Sequence, residues 1–155
     1  MTDRNVIVEA VDGFFKSKGL VKHSGSWYRR TVETISVFNL QKSQYGRRYY
    51  LNFGIWILSV EDTDFPKPHK CHLVGRIDRL IEDEFESKGF DALLDLEQPV
   101  ADGERRSELI RILDEQLIPF LDYSGAVEEL RGTTGRFIVS ASGIRRPVVS
   151  LFPRR

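Results

Sequence analysis

The chain has 155 residues, of which 41% are hydrophobic and 30% charged. That is the make-up of one ordinary globular domain, and it excludes a disordered chain, a collagen-like chain and a coiled-coil rod. Lys plus Arg and Asp plus Glu each number 23, so the formal net charge is zero, which speaks against a duplex-binding protein with its usual basic excess.

The first predicted element is a helix from about Thr2 to Lys18. Ile7, Ala10, Val11, Phe14 and Phe15 recur on one side of it. Thr2 or Asn5 is placed to cap its start and Gly19 to end it. Three strands follow, over about Ser26 to Val32, Thr34 to Lys42 and Arg47 to Leu58. The loop Ser43-Gln44-Tyr45-Gly46 turns the last two into a hairpin. Setting Lys42 opposite Arg47 pairs Leu40 with Tyr49, Phe38 with Leu51 and Ser36 with Phe53. That gives one nearly apolar face, continued by Ile55 and Ile57. The other face holds Ile35, Val37, Asn39 and Gln41 with Arg48, Tyr50, Asn52, Gly54 and Trp56.

A loop from Ser59 to Lys70 precedes a fourth strand candidate, Cys71 to about Arg79, whose second half is also compatible with a helix. Glu82 to Glu97 holds seven acids against Lys88, and room for a short helix. A stronger helix starts at Asp102 or Gly103 and runs to about Leu121. Its expected buried stripe is Leu109, Ile110, Leu113, Leu117 and Ile118, and Pro119 should kink or end it. Gly125 to Arg131 reads as a helical turn or two. The tail, Gly132 to Arg155, has five arginines and no acid. Phe137-Ile138-Val139 and Val148-Val149 read as the strands of a terminal hairpin turned at Ser142-Gly143.

The run Asn39-Leu40-Gln41-Lys42-Ser43-Gln44-Tyr45-Gly46, followed by Tyr50-Leu51-Asn52-Phe53-Gly54-Ile55, resembles a bacterial family, domain-of-unknown-function family 4304. Cys71-His72, Gly75-Arg76, Arg79-Leu80 and Ile118-Pro119-Phe120 are similar to its later blocks. The resemblance covers about Val6 to Leu130. It implies a compact bacterial domain of strands flanked by helices and carries no activity.

The chemistry-bearing residues are few. Cys71 is the single cysteine, so no internal disulfide forms, which suits a reducing compartment. His69-x-Cys71-His72 is too small a set for zinc. On a strand, Cys71 and His72 also point to opposite faces, which defeats both a metal site and a cysteine–histidine nucleophile. Gly132-Thr133-Thr134-Gly135 lacks the lysine of a phosphate-binding loop. The acids of Glu82 to Glu97 read as solvated. Candidate binding residues are therefore Asn39, Gln41, Arg48, Tyr50, Asn52 and Trp56 on the polar sheet face. His72 and Arg76 join them if the fourth strand enters the sheet. Amides, arginines and aromatics on one face suit a peptide, a nucleotide or a phosphate, whereas a plain solvated face needs none of these. In the tail, Arg136, Arg145, Arg146, Arg154 and Arg155 have two uses: contact with phosphates, or docking on the acidic segment of this chain or a second copy.

The resulting expectation is an α+β fold. An antiparallel sheet of about four strands has helices packed on one face, in a single domain over residues 1–131, followed by a basic strand-like tail over residues 132–155. The N-terminus lacks a signal-peptide pattern, and no window approaches the roughly 18 apolar residues of a spanning helix, so the expected setting is cytoplasmic with no membrane partner. No cofactor, metal or catalytic residue is implied. The expected function is a non-catalytic protein-binding domain, immunity-like, with a protein partner or self-association ahead of nucleic acid. The alternative is a nucleic-acid or phosphate-ligand binder using the polar face and the basic tail.

Overall fold

The computed structural model describes residues 5–152. Helix α1 spans Val6–Ser17. Asn5 caps it, its side-chain oxygen accepting from the amides of Ile7 at 2.9 Å and Val8 at 3.1 Å. Thr2, the other cap candidate, lies outside the described residues. The chain leaves the helix through Gly19 at φ +83°, a conformation that glycine adopts without strain.

Six strands follow one another as a meander: β1 (Val21–His23), β2 (Ser26–Arg30), β3 (Thr34–Lys42), β4 (Tyr49–Ile57), β5 (Leu73–Arg76) and β6 (Gly143–Ile144). Each is antiparallel to the one before. The α+β fold with an antiparallel sheet is as expected, but the sheet has six strands rather than about four. The two extra strands are three and two residues long, too short to carry a periodic signal. Ser24 and Gly25, both at positive φ, make the turn between β1 and β2.

The hairpin of β3 and β4 corrects the expected register by two residues. Lys42 pairs with Tyr49, Leu40 with Leu51, Phe38 with Phe53 and Ser36 with Ile55. A two-residue slip keeps every side chain on its expected face, so the alternation alone does not detect it. The cause is distant. Arg47 and Tyr49 bond instead to the segment around residue 95, through Leu96 N–H to Arg47 O at 2.8 Å and Tyr49 N–H to Leu94 O at 2.9 Å. The turn therefore widens.

The core lies between one sheet face and the helices. Trp27, Phe38, Leu51, Phe53, Ile55, Ile57 and Leu73 pack against Ile7, Val11, Phe14 and Phe15 of α1 and against the long helix α3 (Asp102–Ser124). Phe15 stacks on Phe38 with ring centroids 4.7 Å apart, and Phe120 meets Phe38 and Phe53 edge-on. The buried stripe of α3 is Leu109, Ile112, Leu113, Leu117, Phe120 and Leu121, flanked by Arg105 and Ser124. Ile110 and Ile118, expected inside, are exposed at 37% and 42%. Pro119 does not end the helix, which continues to Ser124. Ser36, a polar residue on the apolar face, meets the Ser124 hydroxyl at 2.8 Å.

Helix α2 (Glu84–Leu93) occupies the acidic segment, and α4 (Val127–Arg131) follows α3. The expected terminal hairpin does not form. Phe137–Val139 lies in helix α5 (Arg136–Ser140), and Val148 lies in a 3-10 turn, Arg146–Leu151. Ile138, Val148 and Phe152 are all buried in the main core. Among the described residues of the tail the strand is Gly143–Ile144, which pairs with β5. Three apolar residues in a row do not distinguish strand from helix, and here the buried side of a helix wins.

The second sheet face is divided. Its end near Ile35, Val37 and Tyr28 is apolar and buried under Cys71, with Trp56, Leu58 and Val74 packed around it. Tyr28 Oη donates to the Pro66 carbonyl at 3.0 Å, tying down the covering segment. The end near Asn39, Asn52 and Arg76 is not covered in this way.

Candidate functional site

Strand pairing builds a polar row across the uncovered end. Ser26 on β2 stands opposite Asn39 on β3, Asn39 opposite Asn52 on β4, and Asn52 opposite Arg76 on β5. Directly opposed residues of antiparallel strands share a face, so four side chains line up over roughly 14 Å, at about 4.8 Å per strand. Gln41 and Tyr50 form the next row. Asn52 Nδ2 donates to Gln41 Oε1 at 3.0 Å, which fixes both amides. Asn39 Oδ1 is buried and has no hydrogen-bond partner.

This row floors an open groove of about 1010 Å³. Pro68 and His69 stand on one side, and the turn Ser140–Gly143 on another. Arg76, Arg79 and Arg145 contribute three guanidinium groups, and no Asp or Glu is among the described residues that line it. Arg145 is held in place. Its backbone N–H donates to the His72 carbonyl at 2.8 Å, and its guanidinium donates to the His69 carbonyl oxygen. A groove with three cations and no carboxylate has the electrostatics of an anion site, and arginine suits a bidentate oxyanion.

Beside the groove, the Tyr50 ring carries two cations. The Arg76 guanidinium lies 4.2 Å from the ring centroid and that of Arg48 5.2 Å. Asp78 and Asp91 gather with Arg76 and Tyr50 around a small neighbouring hollow and do not line the groove. Burial pushes the Asp91 carboxyl up to about 6, and its hydrogen bond and like charge with Asp78 push the same way, against the pull of Arg48 and Arg76. Asp91, expected to be solvated, is half-buried and paired.

The expected site residues thus separate. Asn39, Gln41, Asn52 and Arg76 line the groove, and Arg145 joins them from the tail. Arg48 and Tyr50 adjoin it through Arg76. Trp56 and His72 lie at the covered end of the face, with ring centroids 4.2 Å apart. Trp56 Nε1 donates to the Glu61 carbonyl at 2.6 Å, and His72 Nδ1 accepts from the Ile57 amide at 2.8 Å. Both rings therefore serve the fold. Arg136 opens α5 and Arg146 opens the last 3-10 turn, and neither lines the groove. Arg154 and Arg155 lie outside the described residues. Among the described residues no ion pair joins the tail arginines to Glu82 through Glu97. Ser26 and Arg79 line the groove without having been singled out. Alternation along β2, with Trp27 turned to the core, was the available signal for Ser26.

Cys71 is fully buried, and that burial pushes its thiol up to about 12, so it is a neutral packing group. Among the described residues, no three of His, Cys, Asp or Glu gather as a metal centre requires, and no helix is long and apolar enough to cross a membrane.

No curated protein and no solved structure matches the chain. The model of one family, a domain of unknown function, DUF4304, matches residues 11–123, a span that carries the Ser26–Arg76 row and Arg79 but not Arg145. That span is more than half of the chain, and the protein belongs to the DUF4304 family.

Proposed function

We propose that the protein is a non-catalytic binding protein whose ligand carries a phosphate or a similar oxyanion, held in the groove over the polar row. One observation carries this reading: Arg76, Arg79 and Arg145, from three separate segments, line one groove without a carboxylate. It supports the phosphate-ligand alternative over the protein-partner reading. A binding role is supported by the state of the reactive groups. The Cys71 thiol is buried and neutral, His72 is engaged by Ile57, and Asp78 with Asp91 lie outside the groove.

The test is a calorimetric and amide-NMR titration with inorganic pyrophosphate, at low and at physiological salt. Saturable binding is expected, weakening with salt, with shifts at Arg76, Arg79 and Arg145. The double variant Arg79→Ala, Arg145→Ala should bind at least roughly tenfold more weakly, since a charge-assisted contact contributes that much or more. A wild type that shows no saturable binding, or a double variant that binds as well as the wild type, overturns the reading.

A further inference from the structure

We infer that the groove takes a phosphorylated sugar or polyol, with the phosphate on the arginines and the hydroxyls along the Asn39–Asn52 amide row. This rests on the anion-binding reading above. Four observations carry it further.

The first is Asn39. Its buried Oδ1 is an acceptor without a donor, and a buried acceptor left unpaired is costly. A fully ionised phosphate has no proton to give and cannot satisfy it. The arginines of the groove are donors, so the acceptor and the cations call for different parts of one ligand. Oδ1 is closed to solvent in this conformation, so a donor in the groove reaches it on rotation of the Asn39 amide, and a ligand that does so has a donor group in addition to its anion.

The second is the character of the floor. Asn39, Gln41 and Asn52 offer donors and acceptors and no net charge. A hydroxyl gives one hydrogen bond and accepts others, so a chain of hydroxyls matches a row of amides. A ligand amine or ammonium would instead seek a carboxylate, and none lines the groove.

The third is the state of the large rings: among the described residues His69 lines the groove as a small exposed imidazole, but no exposed phenyl, phenol or indole ring lines it. Reading a nucleobase usually needs an aromatic platform on which the base stacks. Tyr50 beside the groove is already covered by Arg76 and Arg48, and Trp56 by His72. Phe53 lines the groove but is only 1% exposed. The fourth is spacing. Asn39 and Arg76 are two strands apart, or about 10 Å between backbones, a separation comparable to the length of a sugar monophosphate.

The experiment is a calorimetric titration at fixed ionic strength with inorganic phosphate, glycerol 3-phosphate, ribose 5-phosphate, glucose 6-phosphate and adenosine monophosphate. At least one of the three phosphorylated polyols should bind roughly tenfold tighter than inorganic phosphate, the value of about one buried hydrogen bond. Asn39→Leu should remove that advantage, with inorganic phosphate titrated into the same variant as the reference. Asn39→Ala is the second variant, should the larger side chain disturb the sheet. Equal binding of inorganic phosphate and all three polyol phosphates overturns the inference while anion binding stands. So does an advantage that survives both Asn39 variants. Adenosine monophosphate binding tenfold tighter than ribose 5-phosphate overturns it in favour of a nucleotide. If neither inorganic phosphate nor any ester binds, the anion reading itself falls and this inference with it.

Discussion

A Cβ on Gly54 would stand 2.8 Å from both Cβ and Sγ of Cys71, and 2.9 Å from the Pro68 carbonyl. No side chain fits in that space. Gly54 sits in mid-strand between Val37 and Val74 on the second sheet face. Its missing side chain lets the segment that carries Pro68 and Cys71 lie directly on the sheet. The same approach sets Pro68 and His69 at the side of the groove. One glycine thus joins the packing of the covered end to the shape of the open end.

Gly54→Ala should therefore cost about 1–3 kcal/mol, the usual penalty for overpacking where backbone and a buried side chain must move. Gly13 is the control. It lies inside α1 with nothing within 4 Å of its would-be Cβ. Gly13→Ala should stabilise by up to about 1 kcal/mol through helix propensity. Denaturant titrations of both variants read the two signs. A Gly54→Ala protein as stable as the wild type would refute the close approach.

Cys71 should be silent to thiol reagents in the folded protein. Its sulfur is fully buried and burial holds the thiol neutral up to about pH 12. A colorimetric disulfide reagent at pH 8 is expected to label it only after denaturant is added. Rapid labelling of the native protein would show that the covering segment opens readily.

Adjacent strand residues separate fold from site. Leu51 is 2% exposed in the main core, whereas Asn52 faces the groove opposite Arg76. Leu51→Asp buries a charge without a partner and should unfold the domain. Asn52→Asp should leave the melting temperature within a few degrees of wild type. It should also weaken anion binding, because it puts a carboxylate among the groove's arginines. Equal tolerance of both substitutions would contradict the facing of β4.

The legible parts of this molecule are those with local causes. The alternation along β3 and β4 assigned Asn39, Gln41 and Asn52 to one face, because side-chain parity is a property of each strand alone, and Arg76 joins them through the pairing of β5 with β4. The register was not legible, because Arg47 and Tyr49 pair with residues almost fifty positions away. The arginine at the far side of the groove was legible only as a charge. Arg145 reaches it because Ile138 and Val148 anchor the tail in the core, and composition alone does not reveal where a tail docks. The Asp78–Asp91 pair shows the same limit, since one partner lies in the acidic run and the other outside it.

Arg105 is 2% exposed and serves the fold, with no acidic side-chain partner among the described residues. Its guanidinium donates to the carbonyl oxygens of Leu93 at 2.6 Å, Gln98 at 2.9 Å and Asp95 at 3.0 Å. These are the last turn of α2 and the loop after it, where the Asp95 and Gln98 carbonyls also accept from the amides of Gln98 at 3.1 Å and Val100 at 2.9 Å. Lysine has one compact ammonium and cannot span three diverging acceptors. Arg105→Lys should lose about 2 kcal/mol and Arg105→Met at least as much, since each removes charge-assisted hydrogen bonds made at a buried site. A thermal melt that Arg105→Lys does not move would show those bonds to be replaceable by water.

A buried histidine and a half-buried aspartate give the stability opposite slopes with pH. Burial pushes His72 below its ordinary value of 6.5, with Glu61 opposing and Arg145 assisting, and its Nδ1 accepts from the Ile57 amide, which only an unprotonated nitrogen can do. A depressed histidine contributes stability that is complete above about 6.5 and is lost as pH falls through its folded value. Asp91 runs the other way. Its carboxyl is raised from 3.8 to about 6 by burial and by Asp78, against Arg48 and Arg76. Its contribution is complete below about 3.8 and is lost as pH rises through about 6. The two slopes overlap below about pH 6 and partly cancel there. Asp91→Asn keeps a neutral side chain beside Asp78 and removes the second slope. Relative to wild type, the variant should gain stability steadily from pH 4 to pH 7. The gain should reach about 1 kcal/mol, since the group is half-exposed and solvent screens part of the shift. What then remains is the histidine slope, so the variant's own melting temperature should fall more steeply on acidification than that of the wild type. Melting curves of the two proteins at pH 4, 5, 6 and 7 give both quantities. A difference between them that does not change with pH would mean that Asp91 is ionised throughout and that the pair with Asp78 holds no proton.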